Sequence, residues 1–215
     1  ICVSGVGVTK EFSAIITDII PDLELIGKSQ CFPMYYYETV DHDQLGLFDQ
    51  SSSDYVRKDG ISEFILDRAR SLNPKITKED IFYYVYGLLH SQEYRKRFSS
   101  DLKKSLPHIP FPETFQLFKT FSKAGRDLAQ LHLHYETGDL CQEVIVLGTE
   151  SGNFQVNKMR FISKEDKRTI IFNENIRIEN IPLATYDYIV NGKSAIEWIM
   201  ERYAITTNPE SKIVN

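Results

Sequence analysis

Cysteine is scarce in this 215-residue sequence. Its three cysteines, Cys2, Cys31 and Cys141, are far apart and include no CxxC pair, which argues against a zinc site or a disulfide-stabilised scaffold. No apolar run approaches the roughly 18–20 residues that span a bilayer, and the apolar start at Ile1–Val8 has no basic leader of the secretory kind. We therefore expect a cytoplasmic protein with no membrane segment.

Motifs of catalysis are lacking as well. GVGVTK (residues 5–10) misses the GxxxxGK[ST] spacing of a phosphate loop and predicts a tight turn between strands. Pro21-Asp22 could be half of a nuclease metal site, but the only ExK, at residues 210–212, lies in a polar tail unsuited to a rigid site. His132 and His134, two apart in a predicted helix, point about 200° apart and cannot share a metal. We expect no catalytic site and no cofactor or metal here; a nuclease at the aspartate is the enzymatic alternative.

Three helical patterns follow one another between residues 77 and 135. Asp80–Ser91 is apolar on most sides and is expected at the centre of the core; Thr77 and Asp80 have the spacing of an N-terminal cap. Gln92–Leu106 carries an apolar stripe of Tyr94, Phe98, Leu102 and Leu106, with Lys96, Arg97, Lys103 and Lys104 opposite. Prolines then predict an extended segment at His108–Pro112, and a third helix covers Glu113–Tyr135.

Strand-like segments flank these helices on both sides. They are Ile1–Val6, Phe12–Ile20, Leu23–Ile26 and Gln30–Tyr37 before them, and Glu143–Leu147, Phe154–Ile162, Thr169–Phe172, Ile176–Ile178 and Tyr186–Val190 after them. Asp41–Asp59 predicts a long exposed loop, and a last helix is capped by Ser194. We expect one α+β domain over residues 1–215, β-rich at 1–40, helical at 61–135, and β-rich with a final helix at 142–203. Its mixed or antiparallel sheet would combine N- and C-terminal strands and pack on the central helical stretch.

Charge is distributed unevenly along the sequence. Residues 81–134 hold 8 Lys/Arg against 4 Asp/Glu, whereas residues 1–80 hold 8 against 14 and residues 135–215 hold 9 against 12. A local basic face can meet phosphate even when the net charge is −5. Solvated helix faces explain the same pattern, and on charge alone they are favoured. Because the chain opens directly with the strand-like ICVSGV, we also expect it to be a fragment of a longer protein.

Several blocks together resemble one family. They are QCFPMYYYE (30–38), ITKEDIFYYVYGLLHSQEYRKRF (76–98), LKKSLPHIPF (102–111), AGRDLAQLHLHYE (124–136), VNKMRF (156–161) and NGKSAIEWIMERYAITT (191–207). In order and composition they are similar to the C-terminal specificity domain, or target recognition domain, of type ISP restriction–modification enzymes and their helicase-like relatives. In that family one polypeptide combines a nuclease, a helicase-like ATPase and an adenine-N6 methyltransferase with this domain.

The resemblance implies sequence-specific recognition of double-stranded DNA, which positions the upstream methyltransferase domain of the same chain. The fragment itself would not be an enzyme; S-adenosylmethionine, ATP and Mg would be used by the parent protein. Groove readout needs Arg, Lys, Asn or Gln side chains, and phosphate contacts need basic faces. The candidate DNA-binding residues are Lys10, Lys28, Gln30, Lys96, Arg97, Lys103, Lys104, Lys158 and Arg160. The alternative is a protein-docking or spacer module without direct DNA contact.

Overall fold

The computed structural model describes residues 1–39 and 54–214. These residues form two compact units, 1–136 and 137–215. The α+β class is confirmed, since five α-helices occur together with antiparallel sheets in this part of the chain. The strands of the two ends, however, pair into separate sheets. The shared sheet is corrected accordingly, because short hairpins within residues 145–194 satisfy those strands locally.

The first unit combines a small sheet, a two-stranded ribbon and four helices. Its sheet has the order β2-β1-β3, from β1 (Cys2–Val3), β2 (Ala14–Ile15) and β3 (Gln30–Cys31). The ribbon pairs β4 (Tyr35–Thr39) with β5 (Tyr55–Asp59). The helices are α1 (Glu63–Arg70), α2 (Lys78–Leu89), α3 (Gln92–Arg97) and α4 (Phe115–Leu133). Residues 5–10 form the predicted turn between β1 and β2, whereas Leu23–Ile26 is a turn and not a strand.

The core of this unit lies where α2 crosses α4. Tyr86 and Ala129 are fully buried there, and Val3 and Ala14 of the small sheet belong to the same apolar cluster. The predicted cap of α2 is confirmed as a capping box, in which the Thr77 hydroxyl accepts from the Asp80 backbone amide and the Asp80 carboxylate accepts from that of Thr77. Helices and N-terminal strands therefore share one core, as the sequence predicted for this half.

The helix predicted at Gln92–Leu106 is shorter than expected. Helix α3 ends at Arg97, and the next residues continue as hydrogen-bonded turns. Ser99, Ser100 and Asp101 follow at once, and such side chains compete for backbone hydrogen bonds and weaken helices. Two tyrosines then hold the predicted extended segment, because the hydroxyls of Tyr94 and Tyr84 donate to the carbonyls of His108 and Pro110, both at 2.8 Å.

Cys2 and Cys31 face each other across β1 and β3. Their thiols are free, with the two Sγ atoms 2.8 Å apart. Burial, together with the hydrogen bond to Cys31, raises the pKa of the Cys2 thiol to about 12. The Cys2 thiol therefore stays protonated at neutral pH.

The second unit is built on a four-stranded antiparallel sheet in the order β6-β9-β8-β7. Its strands are β6 (Ile145–Leu147), β7 (Arg160–Phe161), β8 (Ile170–Ile171) and β9 (Arg177–Glu179); a hairpin of β10 (Ile189–Val190) and β11 (Lys193–Ser194) leads into α5 (Ala195–Arg202). Ser194 caps α5 as predicted. The predicted strand at Tyr186–Val190 is instead a 3-10 turn over Leu183–Asp187 followed by β10. No described helix is long and apolar enough to cross a membrane.

A histidine pair lies against the buried Tyr86 side chain. The hydroxyl of Tyr86 is 2.5 Å from His132 Nδ1, and His90 Nδ1 donates to the Tyr86 carbonyl oxygen at 2.9 Å. The half-buried His132 is therefore satisfied by a contact with the core. Burial lowers the pKa of His90 to about 4, and Arg95 and His132 add to that shift.

This burial predicts an acid-sensitive fold. The unfolded chain takes up the His90 proton near pH 6.5, whereas the folded chain takes it up only near pH 4. The contribution of neutral His90 to the free energy of unfolding is therefore fully present above pH 6.5. It is lost as the pH falls from there toward pH 4, by about 2 kcal/mol between pH 7 and pH 5. Denaturant unfolding at pH 7 and at pH 5 should show a smaller loss of unfolding free energy for His90→Gln than for wild type. The exposed His108→Gln serves as the control, and an identical loss in wild type and His90→Gln would contradict this origin.

Candidate nucleic-acid interface

Three basic segments of the first unit are hydrogen-bonded neighbours. The turn at residues 5–10 contains Lys10; its Gly5 amide donates to the Gly27 carbonyl at 3.2 Å, and its Gly7 amide donates to the Lys103 carbonyl at 3.4 Å. A Cβ at Gly5 would lie 2.1 Å from the Lys28 carbonyl oxygen, so only glycine permits this approach. The structure thus groups the segments of Lys10, Lys28 and Lys103, which are far apart in sequence.

The cations around α3 are exposed on one stretch of chain. Tyr94 and Leu102 are buried, and this leaves Lys96, Arg97, Lys103 and Lys104 at the surface. The predicted exposure of these four side chains is confirmed, but the continuous helix that would place them on one face is not present. Gln30 is also exposed, on β3. The four cations suit contacts with phosphate, because such contacts need only accessible positive charge and carry no information on base sequence.

Strand β5 of the ribbon lies within the predicted loop Asp41–Asp59, whereas the start of β4 lies within the predicted strand Gln30–Tyr37. Residues 41–53 of the predicted loop lie outside the described part of the chain, but Tyr55–Asp59 is a strand paired along its full length with β4. The ribbon adds Arg57 and Lys58 to the exposed cations. Arg57 Cζ lies 4.3 Å above the ring of Tyr35, whose hydroxyl donates to Glu79 of α2 at 3.2 Å. A two-stranded ribbon is one of the elements that fit the DNA major groove.

In the second unit, Lys158 and Arg160 line one groove of about 230 Å³, together with Asn157, Ile171, Asn173 and Glu174. The prediction placed them on alternate positions of one strand; only Arg160 is in β7, and Lys158 precedes it. Both side chains are exposed. Their neighbours Val156 and Met159 are buried, with 2% and 7% exposure, and anchor the segment in the apolar cluster of this unit. The groove therefore presents cations from a firmly held backbone.

The described residues offer little to other kinds of chemistry. Among residues 1–39 and 54–214, no three His, Cys, Asp or Glu side chains come together as a metal site. Asp22 is exposed, and its carboxylate accepts from the Glu24 amide at 2.7 Å within a turn.

The chain belongs to the family of Type ISP C-terminal specificity domains, whose model matches residues 1–215. This confirms the resemblance seen in the sequence. The comparison with curated proteins gave no match.

Three solved structures are similar over essentially the whole chain. The ATP-dependent Type ISP restriction-modification enzyme LlaBIII bound to DNA is 38% identical with a TM-score of 0.82, covering 100% of this chain and 13% of that one. A nuclease-deletion mutant of the Type ISP enzyme LlaGI, in complex with a DNA substrate mimic, is 35% identical with a TM-score of 0.77, covering 100% and 17%. The DrdV–DNA complex is 26% identical with a TM-score of 0.80, covering 99% and 20%. The chain thus spans a fifth or less of each.

Proposed function

We propose that residues 1–215 recognise a specific sequence in double-stranded DNA. The observation that carries this proposal is the match of a specificity-domain family over residues 1–215, joined to similar structures that were solved with DNA. The surface supports it, because exposed cations occur in both units: near α3 and the turns at residues 5–10 and 27–28, and in the groove of Lys158 and Arg160.

Each of these two surfaces suits a different kind of contact with DNA. Phosphate contacts set the register of a protein on DNA and need only accessible cations, which the region around α3 supplies. Base readout needs side chains with fixed positions and mixed donors and acceptors. The groove of the second unit meets that requirement better, since buried anchors hold its backbone.

The remaining part of the proposal concerns the larger enzyme. This chain would position an adenine-N6 methyltransferase domain upstream in the same polypeptide, in a cytoplasmic enzyme that also contains an ATP-dependent nuclease and helicase. S-adenosylmethionine, ATP and Mg would bind to those other domains.

A docking or spacer role is favoured by one surface. Strand β6 is at the edge of its sheet, and its apolar side chains Ile145, Val146 and Leu147 are all exposed. An apolar sheet edge is suited to contact with another protein domain. Docking and recognition are therefore separated by testing which segment determines the DNA sequence that is bound.

A chimera tests the proposal. Residues 1–215 are exchanged for the matching segment of LlaBIII in the full-length enzyme, and the preferred DNA is found by selection from duplexes with a randomised core. Because recognition is assigned to this segment, the chimera should select the sequence that LlaBIII selects, while the parent selects a different, asymmetric one. A folded, DNA-binding chimera that keeps the parental preference would show that the segment is a spacer.

A further inference from the structure

The four-stranded sheet of the second unit has a buried apolar face and an outer face that mixes charged and apolar side chains. Phe161, Ile170 and Ile178 are cross-strand partners and belong to the buried apolar cluster. Successive residues on a strand point to opposite faces. The adjacent row, Arg160, Ile171 and Arg177, is therefore on the outer face, and both arginines are exposed. Two guanidinium groups thus flank one isoleucine on neighbouring strands of a rigid sheet.

The groove beside this row contains three kinds of polar group. Arg160 and Lys158 donate, Asn157 both donates and accepts, and Glu174 only accepts. A carboxylate repels phosphate, so a site for phosphate alone gains nothing from Glu174. Edges of base pairs, in contrast, offer donors and acceptors together, and Arg, Asn and Glu are the side chains that read guanine, adenine and cytosine.

These side chains lack the intramolecular pairing of other cations nearby. In the same unit, Lys167 pairs with Glu197 at 3.1 Å and Lys193 pairs with Glu201. Within the described part of the chain, neither an ion pair nor a hydrogen bond occupies the side chains of Arg160 and Arg177. Their guanidinium groups are therefore available to a ligand without breaking an internal contact.

Asn173 holds the rim of the groove. Its Nδ2 donates to the carbonyls of Asn153 and Gln155, at 2.8 and 3.2 Å, and its Oδ1 accepts from the amides of Asn175 and Ile176, at 2.9 and 2.7 Å. All of its polar groups are thus used within the protein. Asn173 joins the hairpin turn between β8 and β9 to the strand-like segment before Asn157, so it is a positioning residue and does not itself read DNA.

We infer that this outer sheet face reads base edges in a DNA groove, with Arg160 and Arg177 as specificity-determining residues and Asn157 and Glu174 completing the reading surface. The inference rests on the proposed function and assigns recognition to particular side chains. The groove is lined by Arg160 and Ile171 of this row, and the third member, Arg177, is exposed opposite Ile171 on the next strand.

The experiment compares Arg160→Gln, Arg177→Gln and the control Arg168→Gln in the full-length protein. Arg168 is exposed in the same unit but belongs neither to the groove nor to the cross-strand row of Arg160, Ile171 and Arg177. Each variant is put through selection from randomised duplexes, and its affinity is measured by fluorescence anisotropy over a salt series on the wild-type consensus duplex and on a scrambled one. Thermal unfolding checks that each variant is folded.

Arg160→Gln and Arg177→Gln should each lose preference at one base pair, weakening consensus binding by roughly 5- to 150-fold, with much smaller changes on the scrambled duplex. Asn173→Asp, which removes the Nδ2 donor, should reduce the same preference although both arginines remain. Equal weakening on both duplexes with a flatter salt dependence would overturn base reading in favour of phosphate contact, and no change in either variant would also overturn it. If the wild-type protein selects no consensus, the proposed function itself fails.

Discussion

Gly125→Ala is expected to destabilise residues 1–136 by about 3 kcal/mol, at the upper end of the cost of overpacking. At the crossing of α2 and α4, a Cβ on Gly125 would lie 1.9 Å from the Tyr83 carbonyl oxygen and 2.6 Å from the Gly87 amide nitrogen. Both atoms belong to the backbone of α2, so no side chain can turn away to make room. Relief requires that the two central helices separate, which loosens the packing of the core around Tyr86.

Chemical denaturation of Gly125→Ala and wild type measures this effect. Gln130→Ala is the matched control, because it introduces alanine at an exposed position of the same helix and should change stability by less than about 0.5 kcal/mol. Gly87→Ala should behave like Gly125→Ala, since its Cβ would lie 2.3 Å from the Phe121 carbonyl oxygen. If either variant were more stable than wild type, because alanine has a higher helix propensity than glycine, the crossing of α2 and α4 would be more adaptable than the structure indicates.

Replacing Lys96, Arg97, Lys103 and Lys104 together by Gln should have the largest effect on DNA binding. Each cation that binds a phosphate releases counterions, so the slope of log K against log salt should fall by about 0.9 for each phosphate that the variant no longer binds. Affinity should drop about equally for cognate and noncognate duplexes, because a row of cations carries no base code. The fold should be little affected, since exposed charges contribute roughly 0–1 kcal/mol each.

Four other exposed lysines, Lys75, Lys119, Lys164 and Lys212, changed together to Gln, control for the reduction in net charge. Both variants lower the charge by the same amount, so a local interaction is distinguished from a general attraction of the protein to DNA. If the two variants show the same salt slope as wild type, the cations around α3 are solvated side chains and do not bind phosphate.

Local signals in the sequence were sufficient for several elements. The capping pattern at Thr77–Asp80 and the apolar run after it predicted α2 and its burial, and Ser194 predicted the start of α5. The prolines near His108 predicted an extended segment. Side-chain hydrogen bonds and helical periodicity act over a few residues, so these features do not depend on the rest of the fold. The same local blocks identified the family and its role.

Pairing between distant segments was decided only by the tertiary structure. Tyr55–Asp59 is exposed, and only Tyr55 and Val56 favour a strand; β4 supplies its hydrogen-bond partners. The row of Arg160, Ile171 and Arg177 arises from the register of three strands, and Gly5 brings the loops of Lys10 and Lys28 together through a close backbone approach. Sequence alone determined the family, the main helices and the cations near α3. Which cations share a surface depended on strand register and backbone packing, because those interactions join residues whose local patterns are independent of each other.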